Sequence, residues 1–179
     1  MAVSGLFMVA CNNTGNNSST AKDTINSSTD STTVATSITT NNKFVYTASA
    51  GSMLEVELGK LAQANGGSEG IKNYGKMLEK DHSAANNQLK AIATRENMTL
   101  PTAIMPKQKE GMEQILSLTG KEFDKAFIPL MIEDHTKDIA EFREAAESNE
   151  NASVKAFAEA TLPKLEAHLA KAKSLQEKM

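Results

Sequence analysis

Residues 121–178 read KEFDKAFIPLMIEDHTKDIAEFREAAES, then NEN, then ASVKAFAEATLPKLEAHLAKAKSLQEK, and this stretch decides the fold. In its first part Ile128, Met131, Ile132, His135, Ile139 and Phe142 recur at helical spacing; in its last part Val154, Phe157, Thr161, Leu165, His168, Leu169, Ala172 and Leu175 do the same. Steps of i, i+3, i+4 and i+7 put these side chains on one face of each helix. The link Asn149-Glu150-Asn151 is short enough to force a reversal, so helices over about Lys121–Ser148 and Ala152–Lys178 form an antiparallel pair. Pro129 and Pro163 fall inside them. Each removes a backbone donor, a cost of around 3 kcal/mol in a regular helix, and each is expected to kink its helix.

The same grammar runs upstream. A helix over about Phe44–Ala64 turns Leu54, Leu58 and Leu61 inward and stops at Asn65-Gly66-Gly67, a sequence suited to a left-handed C-cap. Ser68 caps a second helix reaching about Asn97, with Ile71, Leu78, His82, Ala85, Leu89 and Ile92 on one stripe. Met98 to Gly120 is too long for a tight turn; Pro101 and Pro106 bound its first part, and a short helix is expected over about Lys107–Leu118. The composition agrees. Trp is absent, aromatics are few, and Ala, Leu, Glu, Lys and Met dominate, whereas β-branched alternation is hard to find. The class is therefore all-α. Two short-linked hairpins joined by a long crossover are the connectivity of a ferritin-like antiparallel four-helix bundle with a short extra helix in the crossover.

The N-terminal part is of another kind. Residues 1–11 are mildly apolar and end Leu6-Phe7-Met8-Val9-Ala10-Cys11, the form of a bacterial lipoprotein signal in which the cysteine is lipidated. No Lys or Arg precedes the run, and a start upstream of Met1 would account for both its shortness and the missing charge. Residues 12–42 are about seven-tenths Asn, Ser and Thr, which cannot bury enough apolar surface to offset ordering, so they are expected to form a disordered tether. The bundle domain then spans residues 43–179. Cys11 is the only cysteine, so no internal disulfide or thiolate cluster is available. A net charge of −3 with both signs interleaved gives no basic stripe and argues against nucleic acid as a partner. The expected partner is a membrane, through the lipid anchor, and the expected address is the bacterial cell envelope, as an outer-membrane lipoprotein.

All three histidines, His82, His135 and His168, lie on the apolar stripes. At about 1.5 Å per residue, Glu55 stands roughly 17 Å from the first hairpin turn and His82 roughly 22 Å beyond it; His135 and His168 stand roughly 22 and 27 Å from the second turn. The four groups share one level of the bundle. Imidazoles from facing helices can hold one transition-metal ion, Zn, Cu or Fe, with a carboxylate from Glu55 or Glu57 completing the set. Glu79 precedes His82 by three, the Glu-x-x-His spacing that di-iron bundles use twice, but Leu165 occupies the matching position before His168, which counts against a di-iron oxidoreductase. Met77 and Met131 lie within about a turn of His82 and His135; as thioethers they could favour copper, although core methionines more commonly fill gaps. The alternative is architectural: the histidines and Glu55 form a satisfied polar network that sets bundle register, within a non-catalytic structural or stress-related interaction module.

The blocks AGSMLEVELGKLA at 50–62, Met77 to Asp81-His82, LTGKEFD at 118–124, Asp134-His135, Leu162-Pro163 and His168-Leu169 together resemble the ferritin-like bacterial envelope family catalogued as domain of unknown function 4142. That resemblance implies a helical bundle in an outer-membrane setting and no established activity. Other chemistries lack their residues. There is no phosphate-binding glycine loop and no nucleophile-elbow serine, and the one cysteine sits in the tail, so no catalytic residue is assigned.

Overall fold

The computed structural model describes residues 40–179; Cys11 and the tract from 12 to 39 lie outside the described residues. Five helices follow in order: α1 Thr40–Asn65, α2 Glu69–Glu96, α3 Pro106–Ile115, α4 Gly120–Ser148 and α5 Ala152–Gln176. The described residues contain no strand. The N-termini of α2 and α5 are capped by residue types that do this best. Ser68 Oγ accepts from the Ile71 amide at 3.3 Å, and Asn151 Oδ1 accepts from the Ser153 and Val154 amides. Pro106 occupies the first turn of α3, where its missing N–H has no intrahelical partner to lose.

Two differences from the sequence reading are instructive. α1 begins at Thr40, four residues earlier than the apolar pattern, because Asn42 and Val45 are already buried there. It also ends without a left-handed cap: the positive φ angles among the described residues belong to Asn97, which closes α2, and Gly120. Gly66 and Gly67 instead allow close approach, since Gly66 pairs with Gly120 in an isolated bridge and a Cβ on Gly67 would lie 2.6 Å from the Gly120 carbonyl carbon.

That bridge sets the topology. The start of α4 is tied to the α1–α2 turn, where Asp124 accepts from the Gly67 amide at 2.8 Å and Asn65 Nδ2 donates to the Leu118 carbonyl at 2.9 Å. At the other end Glu96 of α2 accepts from Asn151 and Ser153 at the start of α5. α2 therefore packs on α1 and α5, α4 packs on α5 and α1, and every neighbouring pair of the four long helices is antiparallel. The crossover runs the length of the bundle, laying α3 against α1 and α4. Pro129 and Pro163 lie on exposed positions of α4 and α5, where backbone groups they leave unpaired can meet water, and both helices run on through them. α1 and α2 approach most tightly at Gly59 and Gly75, where a Cβ on either would lie 2.7 or 2.5 Å from the carbonyl oxygen of the other.

The apolar core is in two parts. One, near the α4–α5 turn, contains Val45, Leu89, Phe142, Val154 and Phe157; the other, near the α1–α2 turn, contains Leu58, Tyr74, Leu78, Phe127 and Met131. Every long helix contributes to both; α2, α4 and α5 cross from one to the other at His82, His135 and His168, and α1 crosses between Ala48 and Leu54, just before Glu55. A polar layer thus divides the core at mid-height.

Candidate metal centre

The four layer residues come one from each long helix, and all are buried: Glu55 is 2% exposed, His82 3%, His135 0% and His168 2%. One ring nitrogen from each histidine lies within 4.8 Å of the others. Ring centroids are 5.3 to 5.8 Å apart.

Outer partners decide which nitrogen of His135 and of His168 faces inward. His135 Nδ1 lies 2.9 Å from the Met131 carbonyl, which can only accept, so Nδ1 carries the proton and Nε2 the lone pair. His168 Nε2 lies 3.0 Å from Asp81 Oδ2 and donates to it, which turns Nδ1 inward. His82 Nδ1 donates to Glu55 Oε2 at 2.8 Å, leaving its Nε2 buried with no partner. In neutral rings the three remaining nitrogens are all acceptors. His135 Nε2 and His168 Nδ1 face each other at 3.2 Å, and Glu55 Oε1, also buried and unpartnered, lies 3.4 Å from His135 Nε2.

Two of the rings are shifted toward the neutral form. Burial pushes the His135 imidazole below its ordinary value, against the pull of Glu55. Burial lowers His168 more, to about 4, despite the hydrogen bond to Asp81. Glu55 goes the other way: burial alone would raise it, but His82 and His135, the His82 hydrogen bond and His168 outweigh that and hold it at about 2. An ionised carboxylate oxygen and imidazole lone pairs therefore converge on one buried point with too few protons between them. An unpaired buried acceptor costs roughly 1–3 kcal/mol, and a cation at the point of convergence would satisfy several at once. Two of the spacings suit one: ligand atoms about 2.0–2.1 Å from a tetrahedral ion stand about 3.3 Å apart, beside the 3.2 and 3.4 Å found here, while the three histidine nitrogens as a set lie within 4.8 Å and would draw in around it.

Not every candidate from the sequence joins this group. Glu57 is exposed and pairs with Lys60 at 2.7 Å, because two residues on from Glu55 is the opposite helix face. Glu79 turns toward α1 and accepts from Gln63 Nε2 at 2.7 Å. Met131 contributes its carbonyl to His135 while its side chain is buried in the core, and Met77 packs beside it. The sequence reading assigned no role to Asp81 or Asp134. Asp81 instead orients His168, and the repeated Asp-His step at 81–82 and 134–135 was the available signal.

A cleft of about 810 Å³ bounded by α1, α3 and α4 descends to Glu55 and His82. Asp134 and Asp138 stand in it, and burial first, then the charge of Glu55, raises both carboxyls, Asp134 to about 6 and Asp138 well above the usual range. Among the described residues no helix is long and apolar enough to cross a membrane.

The sequence model of the family described as Domain of unknown function (DUF4142) matches residues 26–175. No curated protein matches the sequence. Among solved structures, the crystal structure of DUF305, a predicted secreted protein from Streptomyces coelicolor, superposes with a TM-score of 0.67 at 13% identity, covering 77% of this chain and 91% of that one. At that identity the likeness concerns the fold.

Proposed function

The chain belongs to the DUF4142 family, and from that starting point we propose that it is a lipid-anchored protein outside the cytoplasm whose bundle binds one transition-metal ion, Zn, Cu or Fe, through His82, His135 and His168, with Glu55 as the fourth ligand. One observation carries the reading: His135 and His168 each have one ring nitrogen bound to an outer acceptor, Met131 O or Asp81, so that their other nitrogens are acceptors facing each other beside the buried Glu55 carboxylate, which His82 also reaches. Outer partners that set ring orientation and tautomer are the usual surroundings of metal-ligating histidines. Neutral imidazole and carboxylate suit Zn, Cu and Fe alike.

A second reading rests on the direct contact of His135 Nε2 with His168 Nδ1 at 3.2 Å. One shared proton there would make the layer a purely structural network that sets helix register. Elemental mass spectrometry on the full chain, purified without chelator and loaded with each metal, separates the two. About one ion per chain, lost in His135→Ala, is expected; no ion at micromolar free metal overturns the metal reading in favour of the network.

The anchor is supported by the form of residues 1–11. The protein's partner is then a membrane, in an outer-membrane setting. Intact-mass analysis of membrane-extracted protein is expected to find acyl mass at Cys11, and its absence would remove the anchor while leaving the metal centre untouched.

A further inference from the structure

We propose that the acidic cleft is the port through which a hydrated divalent cation reaches the histidine layer, an inference that rests on the metal-binding reading above. The layer is closed on one side: His168 Nε2 is taken up by Asp81. On the side of α1 and α4 the cleft leads inward, and the layer residues that line it are Glu55 and His82. Both present a polar atom without a partner, Glu55 Oε1 and His82 Nε2, on side chains no more than 4% exposed.

The walls suit a cation. Glu110, Glu133, Asp134, Asp138 and Glu141 line the cleft, and the cation among its lining residues, Lys137, is already paired with Glu133. Asp134, Asp138 and Glu141 make no ion pair among the described residues, whereas the carboxylates of Glu57 and Glu166, outside the cleft, are paired with Lys60 and Arg143. A cleft of one charge sign between apolar walls concentrates counter-ions and speeds their association by one to three orders of magnitude, on the order of 10–10³. Glu55 occupies the transfer point. One of its oxygens is held by His82, and the other lies between the cleft and His135 Nε2, where it can exchange for water on an arriving ion before the ring nitrogens do.

The test is stopped-flow loading of the full chain with Co2+, followed by the visible absorbance of the bound ion. Glu110→Gln combined with Glu141→Gln is expected to slow loading about ten-fold at low salt while the final spectrum and the stoichiometry stay those of the wild type. Glu150→Gln, in the α4–α5 turn, is expected to load at the wild-type rate. Raising ionic strength should slow the wild type and affect the double variant much less. Wild-type rates in the double variant, with Co2+ still bound, would overturn the port and leave the metal centre standing. No Co2+ bound by the wild type at micromolar free ion would overturn the metal centre itself. Should circular dichroism show the double variant unfolded, the wild type decides, since a loading rate independent of salt also overturns the port.

Discussion

Asp81 decides which nitrogen of His168 faces the core, and it does so from a flank of α2 that carries no apolar pattern. Its replacement by Ala is expected to weaken metal binding about 10–100-fold without changing stoichiometry at saturation, as for other outer partners of ligating histidines. Competition against a chelator reads this, and an unchanged affinity would deny Asp81 the orienting role. Two neighbours of the layer oppose each other in the metal-free protein as pH changes. His168 is lowered to about 4, so the unfolded chain takes up a proton first; stability present above about 6.5 is lost toward 4, roughly 3 kcal/mol for the full shift. Asp134 is raised to about 6, so the folded chain takes up its proton first, and acidification from 6 toward 3.8 stabilises. Asp134→Asn is therefore expected to be more stable than the wild type at pH 8 by on the order of 1 kcal/mol. That advantage should shrink below pH 6, and the variant should show the histidine loss unmasked. Denaturant unfolding at pH 8, 6 and 4.5 measures it; an advantage independent of pH would contradict the raised carboxyl. The layer histidines and Glu55 were legible in the sequence because they interrupt apolar stripes. Asp81, Asp134 and Asp138 were not, since whether a flank carboxylate reaches a neighbour depends on how each helix is rotated in the bundle. For the same reason Glu79, three residues before His82, reads as a ligand in sequence yet faces Gln63.

At the scale of the element, the contact between α1 and α2 depends on two residues without side chains. Gly59→Ala drives a Cβ to 2.7 Å from the Gly75 carbonyl oxygen, which is backbone and cannot turn aside. The helices must separate, at an expected cost of about 2–3 kcal/mol, lowering Tm by roughly 5–10 °C for a domain of this size. Gly51→Ala is the control: its Cβ would meet only Gln108 Nε2, at 3.9 Å, so it should be neutral or slightly stabilising through better helix propensity. Equal melting temperatures for the two variants would show that α1 and α2 can part without penalty. The long helices were readable from periodicity alone, and Ser68 and Asn151 act as the caps their types suggest. Boundaries failed where tertiary packing overrides pattern. The Thr-Asn-Asn-Lys start of α1 has no apolar rhythm and is helical against the bundle, and the short crossover helix ends at Ile115 before the exposed Leu116.

For the molecule as a whole, the polar layer joins two apolar halves that share all four long helices. An ion held by a group from each of those helices would bind the folded chain and not the unfolded one. At a hundred-fold excess over Kd that linkage contributes about 2.7 kcal/mol, or roughly 5–10 °C in Tm. Calorimetry with and without saturating Zn2+ is expected to show that rise, and to lose it in His135→Ala; equal shifts in both would mean that the ion binds elsewhere. The antiparallel arrangement of every neighbouring pair has one more effect. Positive and negative helix ends alternate around each end of the bundle, and the layer lies about two turns or more from any of them, beyond the reach of the peptide macrodipoles. The electric field at the layer is then set by the groups beside it, by Glu55, Asp81, Asp134 and Asp138 together with the Met131 carbonyl. For an ion bound there, preference or redox potential would accordingly be retuned by exchanging one carboxylate, with no change in the scaffold that carries it.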